Sequence, residues 1–178
     1  MEKEVLFRQI ADENKGRIFR ICRYFFQDRE DCNDACQEAL IRIWQNLSTF
    51  RNQSQLSTWI YRVTVNTCLT FIRKDKSRKT LFELSGIRSA ENRPDEPIIE
   101  ENPQEEYKLH FFRRFMEELS PVDRTAVSLY LEELSTREIA DVTGLSESNV
   151  RVKIHRLKEK IKIKWKEEQN GTGRIQNE

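Results

Sequence analysis

Glycine and proline are scarce in this 178-residue chain, with 5 and 4 copies. Sheets of many strands need tight turns built from those residues, so their shortage argues against such folds. Leu, Ile, Glu, Lys and Arg abound instead, and a largely helical protein is expected. No run approaches the ~20 apolar residues of a membrane span, which predicts no membrane insertion. The amino terminus, MEKEVLFRQIADEN, is acidic and amphipathic rather than signal-like, and a cytoplasmic location is expected. Cysteine is limited to Cys22, Cys32, Cys36 and Cys68, with no C-x-x-C pair and no histidine nearby. That spacing does not suit zinc, and free cysteine is ordinarily a small buried hydrophobe. Cys32 and Cys36, four apart, are the one pair open to a metal or redox role. Carboxylate pairs, nucleophile and base pairs and glycine-rich phosphate loops are also missing, so no enzyme, metal or cofactor is expected.

Strong charge of one sign is missing only on average. The formal net charge is +1, yet the chain is segregated. FIRKDKSRKT (71–80) and RVKIHRLKEKIKIKWK (151–166) are basic, and ENRPDEPIIEENPQEE (91–106) is acidic. Segregated positive charge is the footprint of a nucleic-acid binder.

Apolar residues recur at helical spacing up to about residue 76, as in Ile18, Ile21, Cys22 and Phe25. The pattern predicts four helices, at about 3–13, 15–27, 30–47 and 55–76. SGIRSAENRPDEPIIEENP, with three of the four prolines, has no period and is expected to be a flexible acidic linker. Helices resume near Gln104. Ser120-Pro121-Val122-Asp123 and Ser135-Thr136-Arg137-Glu138 are start signals, Gly144 marks a break, and a last helix begins at Ser146. The expected fold is all-α, with a four-helix amino-terminal domain (1–78), a linker (79–103), a carboxy-terminal domain with a helix-turn-helix (104–169) and a disordered tail (170–178).

On the last helix Val150, Ile154, Leu157, Ile161 and Trp165 fall in one inward stripe. The opposite face carries Ser148, Arg151, Val152, His155, Arg156, Glu159 and Lys162. Arginine can make paired hydrogen bonds to guanine, serine and histidine can donate to bases or phosphates, and valine suits a thymine methyl. The lysines further along suit phosphate. A solvated basic face on a structural helix is the plain alternative, but Val152 at its centre tells against that.

In the third predicted helix Ala35, Cys36, Ala39, Leu40, Ile43 and Leu47 form the inward side. Asp34, Gln37, Glu38, Ile41 and Gln45 line the other, where solvation explains the polar residues and not Ile41. A partner surface with a small apolar centre explains both, although single exposed apolar residues are common. The fourth helix is apolar on two sides, with a thin polar strip of Arg62, Asn66 and Arg73 and a basic end at RKDKSRK. That edge could face nucleic acid while the end meets phosphate. The preceding STFRNQSQ offers Phe50 and Arg51, which suit an unstacked base. Core packing is the alternative for the aromatics, Trp59 in particular.

The run DCNDACQEALIRIW followed by FRNQSQLSTWIYRVTVN resembles the second conserved region of bacterial sigma factors of the extracytoplasmic-function (ECF) group. LSPVDR, REIADVTGLS and NVRVKIHRL resemble their fourth region. Cys36 departs from the pattern at a usually aliphatic position. The resemblance implies that the chain binds core RNA polymerase, with Asp34, Gln37, Glu38 and Ile41 on the coiled coil of the clamp. Phe50, Arg51 and Ser54 would hold a base flipped from the −10 element, and Arg62, Asn66, Arg73 and Lys74 would contact the same melting segment as a single strand. Ser148, Arg151, Val152, His155 and Arg156 would read the −35 element as duplex. The linker would run near the RNA exit path, and an anti-sigma factor would restrain the protein. Two other functions remain open from the residues: a helix-turn-helix regulator that binds duplex operator by itself, and a nucleic-acid-modifying enzyme using the Cys and His residues.

Overall fold

In the computed structural model the described residues are 2–50, 55–84 and 103–175, and they form helices and turns with no strand among them. The chain divides into two compact units, Met1–Ile99 and Glu100–Glu178. The sequence expectation of an all-α protein in two helical domains is met.

The first unit contains α1 (Glu2–Phe25), α2 (Arg29–Asn46), a 3-10 turn (Leu47–Thr49) and α3 (Leu56–Leu84). All three α-helices pack on one another. One correction concerns the amino terminus: helices expected at 3–13 and 15–27 are a single helix, so the described unit has three α-helices rather than four. The break was expected at Asn14. Asn14 is buried, and its amide donates to the Ile10 carbonyl at 2.8 Å, which satisfies it within the helix. Ile10, Ile18 and Ile21 run as one buried face past Gly16. Their packing outweighs the ~1 kcal/mol by which glycine disfavours a helix interior.

Asp28 starts α2 by accepting from the backbone amides of Glu30 and Asp31 at 2.8 and 3.0 Å. The acids of that first turn also complement the helix dipole. The inward residues of α2 are mostly small, with Cys32, Ala35 and Ala39 fully buried beside Ile43, and this lets its neighbours approach closely. α3 buries Ile60, Tyr61, Val65 and Cys68 together with Thr58, Thr64 and Thr67. Thr64 and Thr67 donate to the carbonyls of Ile60 and Val63 in their own helix, so neither needs water. α3 runs to Leu84, beyond the residue 78 at which its domain was expected to end, and residues 85–102 of the expected linker lie outside the described residues.

The second unit contains α4 (Pro103–Glu117), α5 (Pro121–Leu131), α6 (Thr136–Thr143) and α7 (Glu147–Ile175). Ser120 caps α5 with Pro121 in the first turn, and Ser135 and Glu138 form the expected capping box on α6. Gly144 closes α6 at φ 76°, the left-handed conformation the sequence pointed to. α5, α6 and α7 pack pairwise around Ala126, Leu129, Ile139, Val150, Ile154 and Leu157. α4 braces the later part of α7: the Trp165 ring lies 4.9 Å from Phe111 and 5.7 Å from Tyr107. α7 continues to Ile175, past Asn170 where fraying was expected, and residues 176–178 lie outside the described ones.

Candidate nucleic-acid and partner interfaces

α2 buries Cys32, Ala35, Ala39 and Ile43, which turns Asp34, Gln37 and Ile41 outward. Glu38 is half-buried, and its Oε1 takes a 2.7 Å hydrogen bond from Arg42 Nε. That pair holds the carboxylate in place rather than leaving it to sample solvent. Ile41 is 49% exposed, an apolar centre among polar neighbours. Trp44, one turn on and also exposed, was not singled out from the sequence. Its ring meets Phe7 of α1 edge-on at 5.2 Å, and Lys3 Nζ stands 4.7 Å over it. The signal was available, because Trp44 is three residues from Ile41 and therefore on the same side of α2. The charge along this helix start is strongly negative. Partial burial first, and then the carboxylates of Asp28, Asp75, Asp34 and Glu30, hold the Asp31 carboxyl above its ordinary range.

Phe50 follows the 3-10 turn and is half-buried, with its ring 5.3 Å from Trp59 at a tilt of 43°. The aromatic pair anchors the start of the loop on α3. Arg51 and Ser54 lie outside the described residues. On α3, Arg62 is half-buried, while Asn66, Arg73 and Lys74 are exposed. Arg62, Asn66 and Arg73 are four and seven residues apart, so they share one edge of the helix. Arg62 and Asn66 lie near the Phe50–Trp59 pair in sequence. Arg73 and Lys74 sit about 10 Å further along the axis, at the ~1.5 Å per residue of an α-helix. The edge is thus one surface with two parts, amide and guanidinium near the loop and cations beyond.

On α7 the two faces separate as the periodicity predicts. Val150, Ile154 and Leu157 are buried, while Ser148, Arg151, Val152, His155 and Arg156 are all exposed. Their spacing of i, i+3, i+4, i+7 and i+8 makes one stripe, with Val152 49% exposed at its middle. Two of the lysines further along meet partners within the protein, while Lys160, Lys162 and Lys166 are exposed. Lys158 turns back to the Tyr130 hydroxyl at 2.5 Å, lying 4.2 Å over the same ring, and Lys164 pairs with Glu118. Folding brings the Tyr130 phenol of α5 beneath Lys158 and the Glu118 carboxylate of the turn after α4 beneath Lys164, which the sequence spacing did not reveal. Lys153 also faces inward and pairs with Asp123 of α5 at 2.6 Å. Burial opposes ionisation of Asp123, but hydrogen bonds from Lys153 and Ser120 outweigh it and keep the carboxyl below its ordinary range. This pair fixes the start of α7 against α5. The stripe left outward can donate hydrogen bonds and offer one apolar contact, which is the chemistry of reading base edges in a major groove.

Among the described residues no three His, Cys, Asp or Glu side chains form a metal-binding group, and no helix is long and apolar enough to cross a membrane.

Two families match the chain, Sigma-70 region 2 over residues 10–78 and Sigma-70 region 4 over residues 112–161. The ECF RNA polymerase sigma-E factor of Escherichia coli K12 is 33% identical over 139 residues, covering 74% of this chain and 72% of the relative. The ECF sigma factor SigW of Bacillus subtilis is 27% identical over 162 residues, 88% of this chain and 87% of the relative. Among solved structures, the sigma factor RpoE from Bartonella quintana, in complex with the anti-sigma factor NepR, matches with a TM-score of 0.72. That likeness is at 17% identity and covers 90% of this chain and 96% of the other. CnrH, in complex with the cytosolic domain of CnrY, matches with a TM-score of 0.67 at 19% identity, covering 92% and 89%. At those identities the two structures show a shared fold, while the family matches and the sigma-E relative decide kinship. The chain belongs to the ECF group of RNA polymerase sigma factors.

Proposed function

We propose that this sigma factor joins core RNA polymerase through α2 and brings it to promoters with two separate DNA surfaces. Asp34, Gln37, Glu38 and Ile41 dock on the clamp coiled coil: the apolar centre is desolvated, and the acidic rim sets orientation. Phe50, Arg51 and Ser54 receive a base from the −10 element. Arg62, Asn66, Arg73 and Lys74 follow the separating strand. Capturing an unstacked base offsets an unstacking cost of about a few kcal/mol, so binding energy is converted into strand separation. Ser148, Arg151, Val152, His155 and Arg156 read the −35 element as duplex.

The observation that carries this reading is the exposed stripe on α7, apolar at its centre and opposite a fully buried face, in the segment that matches region 4. The working modules are residues 1–78 and 104–169, with 79–103 as the linker and 170–178 as a tail. The protein acts as an initiation factor without catalysis of its own, in the cytoplasm beside the polymerase. The structures of RpoE with NepR and of CnrH with CnrY support an anti-sigma factor as a further partner here.

Transcription in vitro with core polymerase tests the proposal. Addition of this protein should confer promoter-specific initiation, and Glu38→Lys should abolish co-purification with polymerase while leaving the helical circular dichroism unchanged. Strong footprinting of DNA by the isolated protein, with no promoter specificity gained by core polymerase, would overturn it in favour of a conventional operator-binding regulator.

A further inference from the structure

The four cysteines come from three helices and meet in the core of the first unit. Cys22 belongs to α1, Cys32 and Cys36 to α2, and Cys68 to α3. All four are free thiols. Cys68 Sγ lies 3.7 Å from Cys22 Sγ, within the distance of a weak sulfur hydrogen bond. Cys36 lies close enough to Cys22 and to Cys32 to influence both thiols. The four thiols therefore neighbour one another, with Cys22 between Cys68 and Cys36. Cys22, Cys32 and Cys68 are completely buried, at 0% exposure. Cys36 alone is only half-buried, so the cluster has one point of access. Among the described residues no group of three His, Cys, Asp or Glu side chains forms a metal site. Nothing in polymerase or DNA binding makes use of this arrangement.

We infer that the cluster is an oxidation site: a hydroperoxide reacts at Cys36, and the oxidising equivalent moves inward to leave a Cys22–Cys68 disulfide joining α1 to α3. In the first step the Cys36 sulfur attacks the peroxide, breaking its O–O bond and giving Cys36 sulfenic acid and an alcohol or water. The Cys22 thiol then displaces water from that sulfur and forms a Cys22–Cys36 disulfide. Cys68 attacks Cys22 from the other side, and Cys36 leaves as a thiol once it has taken up the proton Cys68 gave up. The net change is one peroxide reduced by two electrons and two thiols oxidised to one disulfide. Bridging requires the 3.7 Å gap between the sulfurs to close to the ~2.05 Å of a disulfide.

The rate of entry is low by construction. Contact with Cys22, together with burial, pushes the Cys36 thiol up to about 12. Cys22 is also raised, because its contact with Cys68 and its burial outweigh the lowering by Cys36. Little thiolate exists near neutral pH, which protects the core from casual oxidation. The same surroundings give the reduced form no charge stabilisation, so the disulfide is favoured once it has formed.

The test treats the full chain with excess hydrogen peroxide at pH 8, then denatures it and blocks remaining thiols with N-ethylmaleimide. Intact mass should show the loss of two hydrogens, and peptide mapping should find Cys22 joined to Cys68. The thermal midpoint should rise and fall back with dithiothreitol. Cys36→Ser should slow bridge formation by about tenfold, whereas Cys32→Ser should not. Cys68→Ala should stop the bridge at Cys22–Cys36. If the alanine variant does not fold, the wild-type map and the Cys36→Ser rate decide the matter. Four alkylated cysteines after peroxide, Cys36 sulfinic acid without a bridge, or an unchanged rate in Cys36→Ser would each overturn the inference.

Discussion

Ile41 and Val152 are equally exposed, at 49%, and each interrupts a largely polar helix face. Neither belongs to the buried core, so their placement bears on what the two helices touch. Arg151 stands beside Val152 on the outward face of α7, and a guanidinium there can make two hydrogen bonds to one guanine. Arg151→Ala should therefore weaken promoter binding by the assembled polymerase by about ten- to hundredfold and relax preference at a single −35 position. Competition binding with single-base variants of the site, at fixed salt, checks this. Asp123 makes a different kind of contribution, since it meets Lys153 within the protein. Its carboxyl is held below the ordinary range in the fold, so the unfolded chain binds more protons near pH 4. Stability from this pair is complete above about pH 4 and is lost as pH falls through the lowered folded value. Asp123→Asn should be less stable than the parent at neutral pH, and the difference should shrink in urea melts between pH about 5 and 2.

At the scale of the element, the helix-turn-helix is written in local signals. Ser135 and Glu138 satisfy each other's backbone amides at the start of α6, and Gly144 ends it at a φ that other residues resist. Space is not the constraint, because a Cβ on Gly144 would meet nothing within 4 Å. Gly144→Ala should consequently cost about 1 kcal/mol from backbone strain alone, read as a lower urea midpoint with an unchanged slope. Local reading failed at Asn14. A break was expected there, yet α1 continues because Ile10, Ile18 and Ile21 all find a core. Packing partners from α2 and α3 made that decision, and they are remote in sequence. Periodicity was enough to separate the buried Val150, Ile154 and Leu157 from the outward stripe of α7, because burial on one side repeats every turn.

For the whole molecule, a net charge of +1 conceals surfaces of opposite sign. The α2 helix start is acidic, whereas the second half of α3 presents Arg73 and Lys74 to solvent. Promoter affinity of the assembled polymerase should fall linearly with log salt, and Lys74→Ala should reduce the slope by about 1 while leaving base preference unchanged. Filter binding across a salt series on matched and mismatched promoters checks both parts.

Helix content, the caps of α5 and α6, the turn at Gly144 and the outward stripe of α7 were legible in the sequence, because each depends on residues within one or two turns. Family kinship was legible too, from motifs carried by contiguous residues. Tertiary structure alone decided that Lys153 and Lys158 meet side chains of α5 and that Lys164 meets Glu118 in the turn before it. It also placed Trp44 against Phe7, and it brought Cys22 against Cys68. In each case the partner is distant along the chain. A side chain's own helix sets its direction, but what it meets there depends on how the helices pack.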